Sequence, residues 1–193
     1  AWTTPGQKQI FYGKFDLRAE PKIINKTLLV DNRNVVADGA KFEDIIESQN
    51  WRPKSEDELI FSQYGRGKGF TSEVFGINIK TLKIINYSKD PVTYDEPEGI
   101  FPDGEYTLVE SDKHKPSGGT STIELYKLKL DGTGRNYERL THFTDIEGYR
   151  ASNPVVSDDG NYIAFQGSYA KSEAGAGCGI YLFDLREYEK QKK

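Results

Sequence analysis

An all-β fold of repeated four-stranded antiparallel units, the β-propeller arrangement, is predicted by three observations. A hairpin motif recurs about every 50 residues, which is the period of propeller blades. The segments between its copies alternate apolar and polar side chains with the two-residue period of a strand. The composition, with 12 Tyr and 10 Phe among 193 residues, supplies enough large apolar surface to offset the entropy of ordering a chain. About four such units are visible, with approximate boundaries 1–46, 47–92, 93–146 and 147–193, and together they are read as one domain or a sector of one.

Each unit starts on the hairpin. The first copy is Trp2-Thr3-Thr4-Pro5-Gly6 followed by Ile10-Phe11-Tyr12, and the second is Trp51-Arg52-Pro53 followed by Leu59-Ile60-Phe61. In the third, Pro102-Asp103-Gly104 separates Gly99-Ile100-Phe101 from Tyr106-Thr107-Leu108-Val109. In the fourth, Asp159-Gly160 separates Val155-Val156 from Tyr162-Ile163-Ala164-Phe165. Glycine at these turns admits the positive φ that a tight hairpin requires. Further strands are expected at 74–79 and 82–85 in the second unit, at 123–130 and 137–141 in the third, and at 179–185 in the fourth, which shows no obvious last strand. Residues 22–39 fit the pattern poorly, and 41–47 read as one or two helical turns with Phe42, Ile45 and Ile46 on one face. A blade of this kind has two apolar faces and cannot cover both alone, so neighbouring units must stack.

Charge and composition exclude several classes of function. A net charge of −4 opposes nucleic-acid binding, which rests on a clustered basic face; Lys190, Lys192 and Lys193 are the only dense basic spot and read as a solvated end. No apolar run approaches the ~18 residues of a membrane-spanning helix, so no membrane insertion is expected. The single Cys178 rules out an internal disulfide framework and a Cys-rich zinc site, and is expected to be a buried or half-buried thiol. His114 and His142 are the only histidines, too dispersed for a transition-metal site, and both are expected at the surface. No Gly-x-Ser-x-Gly nucleophile elbow is present. The loop Gly65-Arg66-Gly67-Lys68-Gly69 lacks the order of a phosphate-binding loop and is read as a hairpin connection. The sequons at Asn25 and Asn86 are of the frequency that chance supplies.

The stretch Asn153-Pro154-Val155-Val156-Ser157-Asp158-Asp159-Gly160-Asn161-Tyr162-Ile163-Ala164-Phe165, followed by Gly179-Ile180-Tyr181-Leu182-Phe183-Asp184-Leu185, resembles the repeat of the TolB-type six-bladed propeller family. That repeat reads Ser-Pro-Asp-Gly and then Ile-Ala-Phe; Asp158 stands here in the place of its proline. The third copy keeps Pro102-Asp103-Gly104, and the first two keep Trp and Pro but not the Asp-Gly pair. The resemblance implies that the chain is the C-terminal portion of a longer propeller, with the remaining blades supplied by the same or a longer polypeptide. It further implies a noncatalytic binding or scaffold role in the bacterial envelope, periplasmic or at the cell surface, with a protein or a glycan as partner. The alternative it implies is the propeller part of an enzyme, either a polysaccharide lyase or the gate of a prolyl-oligopeptidase-type hydrolase.

Two sets of segments are candidates for recognition. Long loops project from the same hairpin position in three units, at 65–69, 113–120 and 170–179, and equivalent loops of a propeller share one face. The other set, the segments entering each innermost strand, rims the central channel. It provides the candidate binding residues Asn50, Trp51, Tyr94, Asp95, Glu96, Glu98, Tyr149, Arg150 and Asn153. Carboxylates, amides, an Arg and two Tyr suit hydrogen bonding and stacking on a sugar, a peptide or a cation. Asp95, Glu96 and Glu98 offer oxygen ligands to calcium, though without the six to eight ligands and the loop signature it usually takes. No catalytic residue, no metal and no cofactor are expected.

Overall fold

The structure is a computed structural model that describes residues 1–32, 36–37, 40–41, 45–55, 57–65, 69–116, 119–173 and 175–192, with only the backbone of 36, 37, 40 and 41. The first sheet holds β1 (Trp2–Thr3), β2 (Gln9–Phe15) and β3 (Ile23–Asp31). A small hairpin of β4 (Val36–Ala37) and β5 (Ala40–Lys41) leads to the second sheet, of β6 (Ile46–Trp51), β7 (Glu58–Tyr64), β8 (Ser72–Asn78) and β9 (Ile84–Asn86). The third comprises β10 (Asp95–Ile100), β11 (Tyr106–Ser111), β12 (Glu124–Lys129) and β13 (Tyr137–Arg139), and the fourth β14 (Tyr149–Val156), β15 (Tyr162–Tyr169) and β16 (Gly179–Asp184). A short helix, α1 (Leu185–Gln191), follows β16 directly. Within all four sheets the strands run antiparallel in chain order.

The sheets stack as blades, and the two-residue period decides how. Along β7, Leu59 and Phe61 pack with Ile10 and Val30 of the first sheet, while Ile60 between them packs with Val109 and Leu128 of the third. Along β11, Val109 faces the second sheet and Leu108 joins Ala151, Ile163 and Phe165 of the fourth. Every residue of β7 is buried in consequence. A fully buried side chain of this size contributes about 2–3 kcal/mol, so three such inter-blade layers are the main cohesion of the fold. The innermost strands meet side by side, β1 against β6, β6 against β10 and β10 against β14; among the described residues no packing of similar extent joins β14 to β1.

The hairpin turns also join blades. Gly104 has φ +72°, and a Cβ placed there would lie 2.1 Å from the Pro53 carbonyl oxygen of the preceding blade. Gly160, at φ +71°, sits against Pro102 in the same way. The side chain of Arg52 completes the Gly104 joint, donating to the Gly104 carbonyl at 2.6 Å, the Leu130 carbonyl at 3.1 Å and the Glu58 carboxylate at 2.9 Å.

Two expectations change and a third is extended. Residues 42–44 lie outside the described residues, but Lys41 pairs with Val36 and Glu47 belongs to β6, so both ends of the expected helical turn are extended strand. Cys178 is exposed rather than buried: it lies in the loop before β16, outside the stacked layers. Among the described residues the fourth unit has no last strand, as expected; it turns instead into α1, because Asp184 accepts from the backbone amides of Arg186 and Glu187 and caps a helix.

Candidate binding site at the channel

Residues of alternating position on three innermost strands converge on one cavity of about 350 Å³. Glu47 and Gln49 come from β6, Glu96 and Glu98 from β10 with Tyr94 just before it, and Arg150, Ser152 and Asn153 from β14. Each of these strands carries a bulge at the same place, between Ser48 and Asn50, Pro97 and Ile100, and Ser152 and Val155. In β14 the bulge puts Asn153 at φ +52°, which turns its backbone N–H onto the Glu110 carboxylate. Bulges re-aim side chains in this manner where a sheet edge borders a site.

The cavity is acidic. One carboxylate oxygen from each of Glu96, Glu98 and Glu110 lies within 4.8 Å of the other two, and Glu47 completes a set of four. Burial pushes the Glu98 carboxyl up to about 9, helped by the charges of Glu110, Glu96 and Glu47. Burial and the Glu96 charge push Glu110 up to about 8, against the Asn153 amide and the Arg150 charge. Glu96 is raised by burial too, although the hydroxyls of Tyr64 and Tyr94 both donate to it. Those rings stack on Phe70, which stands half exposed with centroids 5.6 Å from Tyr64 and 5.7 Å from Tyr94.

Arg150 does not act as a free counter-ion here. It is 4% exposed, and its guanidinium donates to Ser168 Oγ at 3.0 Å, to the carbonyl and hydroxyl oxygens of Thr120 at 2.9 and 3.0 Å, and to the Ser172 carbonyl at 3.0 Å. The side chain thus clasps the loops of the third and fourth blades beside the cavity, and Thr120, Ile123 and Gly175 of those loops form its wall.

Of the nine residues proposed from the sequence, Tyr94, Glu96, Glu98, Arg150 and Asn153 line this cavity. Asp95, on the alternate face of β10, is fully buried and accepts from Thr93 and Tyr137 within its own blade; burial raises its carboxyl to about 6. Asn50 lies outside and donates to the Glu98 carbonyl at 2.6 Å, tying β6 to β10. Trp51 is further along β6, edge-on to Tyr12 at 6.1 Å, and Tyr149 packs on Tyr169 at 5.2 Å. The sequence reading missed Glu110, which is the cross-strand partner of Glu96 and was legible from the register about the Asp103-Gly104 turn. The oxygen cluster offered to a cation is therefore Glu96, Glu98 and Glu110, without Asp95.

The remaining candidates fall elsewhere. His114 lies 2.8 Å from Thr144 Oγ1 and stacks on Tyr126, and His142 lies 3.2 Å from Asp145; neither lines the cavity. Gly65 closes the β7–β8 hairpin by donating to Thr71, while 66–68 of the glycine-rich loop lie outside the described residues. Asn25 is exposed, whereas Asn86 is buried and bonded to Glu73.

No family model matches the sequence, and no curated protein matches it. Solved structures do match the fold. A putative TolB from Agrobacterium tumefaciens superposes with a TM-score of 0.59 at 14% identity, over 83% of this chain and 49% of that one. TolB from Acinetobacter baumannii gives 0.57 at 17% identity, over 96% and 40%. The fold is that of a TolB-like β-propeller. A structure from an analysis of two prolyl endopeptidases gives 0.51 at 15% identity, over 82% of this chain and 24% of that one. The chain thus spans half or less of the length of these proteins, and its four TolB-like blades align with part of each.

Proposed function

We propose that this chain is a noncatalytic binding sector of a larger propeller and that its channel cavity receives a basic group, a lysine or arginine side chain presented by a protein partner. The observation that carries this reading is the convergence of Glu47, Glu96, Glu98 and Glu110 on one cavity whose single arginine is spent on the flanking loops. An entering ammonium or guanidinium favours the ionised form of these carboxyls, of which Glu98 and Glu110 otherwise hold their protons up to about pH 9 and 8, and charge-assisted hydrogen bonds to the carboxylates are the strong kind. The exposed face of Phe70 at the rim offers a surface for the aliphatic or guanidinium part of such a side chain. Acidic polysaccharide, the substrate of the lyase alternative, would keep these carboxyls protonated and find no positive group free to pair with it in the cavity.

The likeness to TolB-type propellers supports a periplasmic or cell-surface location. Further blades are supported by the outer faces of the first and fourth sheets, where Phe15 is 70%, Ile180 82% and Leu182 71% exposed. The likeness to prolyl endopeptidases favours a second reading, a propeller that gates a hydrolase; there the cavity would hold a basic peptide in passage.

The test is binding of a fluorescein-labelled penta-arginine peptide at low salt. The wild-type chain is expected to bind it and the Glu96→Gln/Glu98→Gln double variant to lose at least tenfold in affinity, with calcium competing. Equal binding by the double variant removes the cavity as the site.

A further inference from the structure

The second and third blades share one plan but fill one corner of it differently. The Arg52 N–H bonds to the Glu58 carbonyl and the Phe101 N–H to the Tyr106 carbonyl, both at 2.9 Å, so Phe101 and Tyr106 hold the places of Arg52 and Glu58. On the next strand Gly76 stands opposite Ile60 and Asn78 opposite Glu58, while Lys127 stands opposite Leu108 and Lys129 opposite Tyr106. Lys127 and Lys129 therefore hold the places of Gly76 and Asn78. In the second blade the corner is closed by an ion pair: the Glu58 carboxylate accepts from Arg52 at 2.9 Å and from the Tyr87 hydroxyl. That carboxylate fills the space above Gly76, where a Cβ would collide with it.

In the third blade the same corner carries two cations and no acid. The Lys127 ammonium lies 4.3 Å from the centroid of the Tyr106 ring and 4.9 Å from that of Phe101, and the Lys129 ammonium 5.9 Å from Tyr106. Both lysines are half-buried, and among the described residues neither is ion-paired. The acids nearby are engaged elsewhere. Glu138, opposite Lys127 on β13, is bonded to Lys192. Asp131 accepts from Thr133 and Asn136, Asp103 from the Glu105 N–H, and Asp159 from Ser157 and Asn161. Ring faces attract an ammonium without neutralising it. Room for a partner exists on both sides of Lys127, in a cavity of about 330 Å³ bounded by Tyr106, Lys129 and Asn136 and in one of about 440 Å³ bounded by Phe101, Pro102 and Arg186.

We propose that this corner of the third blade binds a carboxylate, presented as a glutamate or aspartate side chain by an acidic segment of a partner protein. The carboxylate would lie between the Lys127 and Lys129 ammoniums beside Tyr106, the place that Glu58 fills from within in the sister blade. The sister blade also specifies the chemistry, because the acid it uses there is a glutamate side chain on a polypeptide. Charge-assisted hydrogen bonds to two ammoniums are of the strong kind. The Tyr106 and Phe101 rings hold Lys127 in position before the partner arrives, which lowers the cost of ordering a long side chain on binding. The corner shares no residue with the channel cavity, and this inference is independent of what that cavity binds.

The probe is an amidated, fluorescein-labelled penta-glutamate peptide added to the whole chain at low salt. Saturable binding by fluorescence anisotropy is expected, with affinity about tenfold lower in Lys127→Gln and also reduced in Lys129→Gln. Lys83→Gln makes the same change of charge at an exposed lysine of the second blade and is expected to bind like the wild type. Tyr106→Glu supplies the sister blade's carboxylate beside two unaltered lysines, and is expected to lose binding as Lys127→Gln does. Four results would overturn the proposal: no saturation at millimolar peptide, wild-type affinity in Lys127→Gln or Tyr106→Glu, equal losses in Lys127→Gln and Lys83→Gln, or tighter binding of an oligogalacturonate through the same lysines. The last would assign the corner to an acidic glycan instead of a protein.

Discussion

Glu96 and Glu110 stand directly opposite each other on β10 and β11, so one cross-strand pair brings a half-buried and a buried carboxylate to the same cavity. Like charges facing each other across a sheet are destabilising, and here the site accepts that arrangement beside a third, Glu98.

The pH dependence of stability follows from the raised carboxyls. Glu98 and Glu110 titrate at about 9 and about 8 in the folded chain, above the ordinary ~4.3 of an unfolded glutamate. Between those limits the folded state holds more protons than the unfolded one, so stability falls as pH rises. Their contribution is fully present below about pH 4.3 and is lost progressively up to about pH 9. Thermal melts between pH 5 and 9 are expected to show a declining Tm, with a flatter profile in Glu98→Gln and Glu110→Gln. Parallel profiles in all three proteins would contradict this. Binding of a basic peptide is expected to release protons over the same interval and to tighten toward pH 9.

Arg150 acts through the loops it holds. In Arg150→Ala, the Thr120 and Ser172 carbonyls lose a buried charged donor, which predicts a destabilisation of about 3 kcal/mol. Arg150→Lys keeps the charge but not the fork. It is expected to restore part of the stability while leaving amide exchange around residues 120 and 172 faster than in the wild type. Equal exchange in the lysine variant would mean that charge alone orders the loops.

Blade order was legible because the hairpin residues do local work that sequence displays. The turn glycines need positive φ, Pro53 and Pro102 are what Gly104 and Gly160 of the next blade rest on, and alternation along β7 and β11 reports the two apolar faces of a blade. The site was half legible. Alternation on β10 puts Glu96 and Glu98 into the cavity and Asp95 into the blade, yet assigning the faces requires knowing where the strand begins. The sequence reading treated this segment as a connection, whereas strand pairing starts at Asp95 itself. The loops and the channel segments, read as two separate surfaces, are one site because Arg150 spans them, and a contact between residues 150, 120 and 172 leaves no local trace. The missing last strand of the fourth unit was legible, but the helix that follows β16 was not: Asp184 is a helix cap, and a cap competes with strand continuation through a few backbone hydrogen bonds that the apolar pattern does not encode.

Cys178 separates two views of the loop before β16. Its backbone N–H is bonded to the Gly167 carbonyl at 2.7 Å, but the residue is exposed. A thiol reagent is therefore expected to modify one cysteine in the native chain at a rate close to that in denaturant. Protection by a hundredfold or more would place the thiol inside the fold.

The joint between the second and third blades is tested by glycine substitution. Gly6 and Gly104 have similar backbone angles, φ +81° and +72°, but a Cβ at Gly6 meets nothing within 4 Å, whereas one at Gly104 meets the Pro53 carbonyl at 2.1 Å. Gly6→Ala thus carries only the cost of a left-handed alanine, about 1 kcal/mol. Gly104→Ala carries that cost and also forces the turn off the neighbouring blade. The same movement takes the Gly104 carbonyl away from Arg52, whose donation at 2.6 Å links the blades, and a half-buried guanidinium that loses a partner adds ~1 kcal/mol. Urea denaturation is expected to show Gly104→Ala at least 2 kcal/mol less stable than Gly6→Ala, a difference of about 4–8 °C in Tm for a chain of this size. Equal destabilisation would mean that the turn conformation alone, and not its contact with the preceding blade, accounts for the glycine.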